Sequence, residues 1–197
     1  MTLRTDYHSL IDKAVQDLAK VCSDTAKSCY PRLSELAVWI CAAFEGGGKL
    51  LICGNGGSAA DSQHIAAEFI NRFRIERRPL PAIALTTDTS ILTAISNDYD
   101  FGQVFSKQVE ALATPKDVVI GISTSGNSQN VITALDVARG VGAKAVAFTG
   151  KSGGNTAGHA DLVLSVESKD TPRIQEVHIF LGHLLCDMVE QELFGAR

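Results

Sequence analysis

Short, continuous apolar runs recur from the middle of this chain onward, and segments with apolar positions three and four apart lie between most of them. The runs fall at 49–53, 82–85, 117–122, 143–148 and 162–166. Each is apolar on successive residues, the pattern of a parallel strand covered on both faces. The intervening segments at 58–73, 90–96 with 101–113, and 128–141 keep helical spacing. The alternation predicts an α/β fold, a three-layer sandwich around a five-stranded parallel sheet. In such sheets ligands sit at the carboxyl ends of strands, beside a topological switch point.

Helical pattern also flanks the alternating region. Residues 6–21 read as an amphipathic helix. A second helix is expected from Pro31, a residue suited to a first helical position, with Leu33, Leu36, Ala37, Ile40, Cys41 and Phe44 on its apolar side and Gly46-Gly47-Gly48 as its stop. The final helix is expected over 172–193, with Thr171 as N-cap and Pro172 in the first turn. Between 177 and 185 it is apolar almost all round, which predicts burial on every side. With residues 1–46 also needing cover, the pattern points to a homo-oligomer built on one domain, 1–197.

Composition narrows the class. The chain has 197 residues, 45% of them hydrophobic and 20% charged, so it is globular. A net charge of −4 and a pI near 5.7 exclude nucleic acid as a main partner. The five cysteines are scattered without a CxxC pair, which fits a reducing, cytoplasmic setting; Cys53, at a strand end, reads as a buried thiol. The first 14 residues lack the apolar core of a signal peptide, and no stretch approaches membrane-spanning length.

Two turns stand out. Gly54-Asn55-Gly56-Gly57-Ser58 follows the first strand run, and Ser123-Thr124-Ser125-Gly126-Asn127-Ser128 follows the third. Turns of this kind at a helix N-terminus offer free backbone N–H groups to an anion. Two of them in one sheet suit a ligand with a phosphate and a hydroxylated body. The first turn runs into Ser58-Ala59-Ala60-Asp61, a capping-box pattern that explains both polar residues structurally. On the same helix His64, Glu68 and Arg72 lie four apart and form one stripe. Such a stripe is either a solvated face or part of a site; its place just past an anion-type turn favours the site.

In the last helix His178 reads as a hydrogen-bonded core histidine. Gln175 and His183 are eight residues apart, about 80° around a helix, and both can border one pocket. His64, Glu68 and His183 are a donor set suited to zinc. Asn97-Asp98 follows Thr86-Thr87-Asp88, where either acid could hold a sugar hydroxyl or cap a turn.

The two turns, together with Arg173-Ile174-Gln175-Glu176, resemble the sugar isomerase (SIS) domain and, within it, the phosphoheptose isomerases. The match covers nearly the whole chain. The resemblance implies a SIS-type, flavodoxin-like fold. It also implies isomerisation of sedoheptulose 7-phosphate to D-glycero-D-manno-heptose 7-phosphate, the first step toward the heptose of lipopolysaccharide or related surface glycans. It further implies a homotetramer with sites at subunit interfaces, and one zinc ion per subunit. Carried onto this sequence, the family's metal positions are His64, Glu68, Gln175 and His183. Its substrate positions are Asn55, Gly56, Gly57, Ser58, Arg72, Asn97, Asp98, Ser123, Thr124, Ser125, Ser128 and Gln175. Glu68 is the implied base and His183 its acid/base partner.

Two other readings compete. Some SIS proteins bind a replication initiator without catalysing, but a pure binding module has no need of His64, Glu68 and His183 together. A dinucleotide oxidoreductase would use Gly54-Asn55-Gly56-Gly57-Ser58-Ala59 as a loose fingerprint. It would then want an acidic residue about 20 positions on, at the end of the next strand, and Asp88 lies farther away.

Overall fold

The computed structural model describes residues 7–195. Its five strands, β1 (Leu50–Gly54), β2 (Ala82–Ala84), β3 (Val118–Ser123), β4 (Lys144–Thr149) and β5 (Leu162–Ser165), form one parallel sheet in the order β2-β1-β3-β4-β5. The helices are α1 (Tyr7–Glu45), α2 (Gly57–Ile70), α3 (Thr89–Asp98), α4 (Ser106–Leu112), α5 (Gln129–Gly140) and α6 (Thr171–Phe194). A 3-10 turn at Phe101–Gln103 precedes α4, so the helix expected over 101–113 is split.

Strand side chains alternate between faces, and the two faces carry separate cores. Leu50, Ile52, Ile120, Ile122, Val146 and Phe148 pack under α1, α2 and α6. Leu51, Cys53, Val119, Ala145 and Ala147 pack under α4 and α5. This is the expected three-layer sandwich. The chain leaves β1 toward one edge and β3 toward the other, so their carboxyl-end loops diverge and open a crevice between them. Both turns singled out above stand at that point.

The amino-terminal region differs from expectation. Residues 7–45 form one helix that runs through Pro31, not two helices with the proline at a start; Asp6, the expected first residue, lies outside the described residues. A mid-helix proline forfeits a backbone hydrogen bond, at a cost of about 3 kcal/mol. Packing on both sides of it offsets that cost. Thr25 Oγ1 accepts the Glu167 N–H at 3.0 Å, the Cys29 thiol donates to the Ser165 carbonyl, and Arg32 donates to the Val163 carbonyl at 3.1 Å. Cys29, Leu33, Leu36 and Ile40 are buried along the same side. Gly47, at φ 78°, ends the run as expected.

At the other end, Asp170 and not Thr171 occupies the N-cap of α6, because the first turn begins one residue early. The apolar stretch of α6 is not enclosed on every side within one chain: Phe180 is 39% exposed. With Tyr30, Leu33 and Leu184 it borders an apolar cavity of about 420 Å³ between α1 and α6. Among the described residues, no helix is long and apolar enough to cross a membrane.

Candidate active site

The switch-point loops form a polar rim. Gly56 adopts φ 56°, a conformation open to glycine, and from there α2 begins at Gly57. In the second loop Ser123 Oγ lies 2.9 Å from Ser128 Oγ and 3.5 Å from Ser125 Oγ, so three hydroxyls cluster where β3 ends. Thr124 is half-buried beside them.

Two supports of this rim escaped the sequence reading. The Asn55 and Asn130 carboxamides exchange reciprocal hydrogen bonds, both 2.9 Å, which tie the first loop to the start of α5. The legible signal was a polar residue inside a buried apolar turn: Asn130 is 3% exposed, next to buried Val131 and Ile132. The second support is the loop after β4. The Thr156 N–H donates to the Gly126 carbonyl at 2.8 Å, and the Asn155 N–H donates to Asn127 Oδ1 at 3.1 Å. A Cβ on Gly126 would stand 2.3 Å from the Gly153 carbonyl oxygen, so the two loops touch through backbone. The Gly153-Gly154 pair was the overlooked sign.

The expected capping box does not form. Gly56 is the N-cap of α2 and receives no side-chain hydrogen bond. Asp61 instead points inward: it is buried, and its Oδ2 has no hydrogen-bond partner. Burial pushes its carboxyl up to about 6, against a smaller opposing pull from His64. It borders a cavity of about 260 Å³ with Pro172, Gln175 and Glu176. The switch to Gly56 follows from the helix starting one residue before Ser58.

Farther along, α2 and α6 run side by side in the same direction. The Gln175 amide rests against Gly57, Gly182 faces Ile65, and Glu190 receives the Phe73 N–H. This seam brings together the reactive groups. His64 Nε2 is 2.9 Å from His183 Nε2 and 3.3 Å from Glu68 Oε1. A ligand atom from each of the three lies within 4.8 Å of the other two. Two imidazoles and a carboxylate with open approach match the donor set of a catalytic zinc site.

Two expected members stand apart. Arg72 is not on the helical stripe, because α2 ends at Ile70; it is exposed and pairs with Glu76 at 3.3 Å. The Gln175 amide lies at Gly57, about two helical turns, or ~10 Å, before His64 along α2. Of the four implied metal positions, His64, Glu68 and His183 cluster in this structure, and the Gln175 amide stands beside the first loop. A Cβ on Gly57 would stand 2.1 Å from Gln175 Nε2, so glycine leaves the room this contact needs.

At the end of α3, Asn97 donates to Asp98 Oδ1 at 2.8 Å and both are exposed. The capping role belongs to Asp88, which accepts the Ile91 N–H at 2.9 Å. His178 is a core histidine, as expected: its Nε2 is 3.1 Å from the Thr149 carbonyl oxygen, and burial lowers its pKa to about 4. Cys53 is buried with its thiol pushed up to about 12, an inert group at neutral pH.

Comparison with known proteins identifies the family and the fold. The SIS domain family model matches residues 14–150. Phosphoheptose isomerase of Roseiflexus sp. (strain RS-1) is 59% identical over 170 residues, 86% of either chain. The chain belongs to the phosphoheptose isomerase family of SIS domains. Phosphoheptose isomerase of Trichlorobacter lovleyi is 54% identical over 95% of both chains. The structure of a phosphoheptose isomerase from Francisella tularensis superposes with a TM-score of 0.91 at 37% identity, covering 95% of this chain and 100% of that one. In this chain the α2–α6 seam brings two imidazoles and a carboxylate within reach of one another.

Proposed function

We infer that the chain is an aldose–ketose isomerase that converts sedoheptulose 7-phosphate to D-glycero-D-manno-heptose 7-phosphate. The observation that carries this reading is the cluster of His64 and Glu68, on a helix that begins at an anion-type loop, with His183 of the neighbouring α6. About 10 Å of α2 separates Gly57 from His64, an interval that an open-chain heptose phosphate can span.

The isomerisation moves a proton between adjacent carbons through an enediol. It needs a base for the carbon acid, a proton shuttle between two oxygens, and a site for the phosphate. Glu68 takes the proton from carbon and returns it to the neighbouring carbon. His183 gives and takes the proton at the oxygens. Ser123, Thr124, Ser125 and Ser128 hold the phosphate with neutral donors, joined by the backbone of Asn55, Gly56, Gly57 and Ser58. Gln175, Asn97, Asp98 and Arg72 complete the sugar contacts, Arg72 from the segment after α2. His64, Glu68 and His183 would hold a zinc ion, which supplies Lewis-acid polarisation of the carbonyl when bound.

The apolar cavity between α1 and α6, bordered by Tyr30 at 71% exposure, and the separate exposed Val38 of α1 support a homo-oligomer, which we take to be the homotetramer. The product would feed heptose precursors of lipopolysaccharide or related glycans in the cytoplasm. Proton NMR of the protein with sedoheptulose 7-phosphate tests the reading. A new aldose anomeric signal is expected, lost on chelation and restored by zinc. No conversion with or without zinc would instead favour a non-catalytic SIS protein that binds a partner such as a replication initiator.

A further inference from the structure

His183 is held from a side the reaction does not explain. Phe73, three residues beyond the end of α2, stacks on its imidazole with centroids 5.5 Å apart and planes 21° from parallel. The Arg74 guanidinium carbon lies 5.3 Å from the centre of the same phenyl ring, and Arg74 pairs with Asp187 of α6 at 3.3 Å. Beyond them is a dense buried clamp. The Glu190 carboxylate accepts the backbone N–H groups of Phe73, Arg74 and Ile75 at 2.7, 2.7 and 2.9 Å, and the Arg77 Nε–H at 2.9 Å. Arg77 in turn donates to the carbonyls of Glu68, Phe69, Asn71 and Arg78. Both charged side chains are almost wholly buried, at 1% and 0% exposure.

This arrangement does more than close a helix end. The clamp fixes the backbone of residues 73–75 to α6 at Glu190, about two turns past His183, so the phenyl ring is set relative to the imidazole by main-chain hydrogen bonds. A half-exposed histidine has a broad, two-fold torsion at its ring bond. Covering one ring face narrows that choice, and the edge-on His64 ring, with centroids 5.0 Å apart, approaches from another direction.

Resting on the isomerase reading, we propose that Phe73 is a positioning residue for His183. Its ring, set by the Glu190–Arg77 clamp, fixes the imidazole plane with Nε2 toward His64 and Glu68. Placement of a proton-transfer group matters on this scale, because misplacement by about 1 Å can cost on the order of a hundredfold in rate.

The test compares the wild-type enzyme, Phe73→Leu and Phe73→Tyr. The leucine keeps apolar bulk without the ring face; the tyrosine keeps the ring. Two readouts are taken: kcat and KM for sedoheptulose 7-phosphate, and the NMR shifts of the His183 ring protons, where the ring current of Phe73 reports the stack without turnover. In wild type and Phe73→Tyr those protons are expected upfield of a free histidine. Phe73→Leu is expected to lose the displacement and about tenfold or more in kcat, with KM within about twofold, while Phe73→Tyr keeps its kcat within about threefold. The proposal is overturned if Phe73→Leu keeps its kcat, if KM worsens as much as kcat falls, or if the tyrosine fails as badly as the leucine. An undisplaced His183 signal in wild type refutes the stack itself, even if the leucine variant does not fold. Displaced signals in a wild-type protein that does not turn over the sugar support the stack and reject the reaction.

Discussion

The seam between α2 and α6 ends in two opposite ways. Past the reactive triad, Glu190 and Arg77 are buried with their charges matched. Burial alone would raise the Glu190 carboxyl, but the N–H groups of Arg74, Ile75 and Phe73 and the charge of Arg77 outweigh it and hold it below the ordinary carboxylate value. Before the triad, beside the anion-type loop, the match is incomplete, although Arg173 pairs with Glu176 and donates to the Ala14 carbonyl, both at 2.8 Å. Asp61 Oδ2, Glu176 Oε2 and Arg173 Nε are all buried without hydrogen-bond partners. The two ends share the same pair of helices, so the difference is not one of depth or element. One end is closed by the chain itself and keeps the helices in register. The other leaves polar atoms without partners beside the cavity that Asp61, Gln175 and Glu176 border. Buried polar groups without partners are costly, and they persist where function needs them.

The largest effect that tests this contrast is at the closed end. Glu190→Ala strands the Arg77 guanidinium and three N–H groups, and it is expected to lower stability by about 3–5 kcal/mol in denaturant unfolding. A loss under about 1 kcal/mol would mean the clamp is solvated and the contrast fails.

A smaller effect of opposite sign is expected at the open end. The folded Asp61 carboxyl titrates at about 6, above the ordinary 3.8, so the native state holds its proton more tightly than the unfolded chain does. Its contribution to stability is therefore fully present below about pH 3.8 and is lost as pH rises to about 6. Asp61→Asn removes that loss. It is expected to stabilise the protein at pH 7 by up to about 3 kcal/mol and to do little below pH 4. Equal effects at both pH values would show that the Asp61 charge is not what burial penalises.

How much of this was legible depended on the range of the interactions. The five strand runs, the two anion-type turns and the i, i+4 placement of His64 and Glu68 are local patterns, and the structure contains them. The resemblance implied a flavodoxin-like fold; the strand order β2-β1-β3-β4-β5 came from the structure and brings both turns to one crevice. Local rules failed where distant contacts prevailed. Pro31 looked like a helix start because its packing partners lie in β5 and the segment after it. Ser58 and Asp61 fitted a capping box, yet the turn already started at Gly57, and Asp61 went to the seam. Arg72 kept the four-residue spacing but fell beyond Ile70, where the Glu190–Arg77 clamp ends the helix. Asn130 and Phe73 carried little signal of their own; their partners are 75 residues away for Asn130 and, through Glu190, 117 for Phe73.

The most direct measurement is on Glu68→Gln, a variant that keeps the side-chain shape at the centre of the seam. Turnover of sedoheptulose 7-phosphate is followed by NMR, and binding of the sugar phosphate by calorimetric titration. The account predicts a loss of kcat of about 10²- to 10⁴-fold, with binding and melting temperature close to wild type. Turnover at the wild-type rate would contradict it, and the proton transfer would have to be sought elsewhere on the crevice.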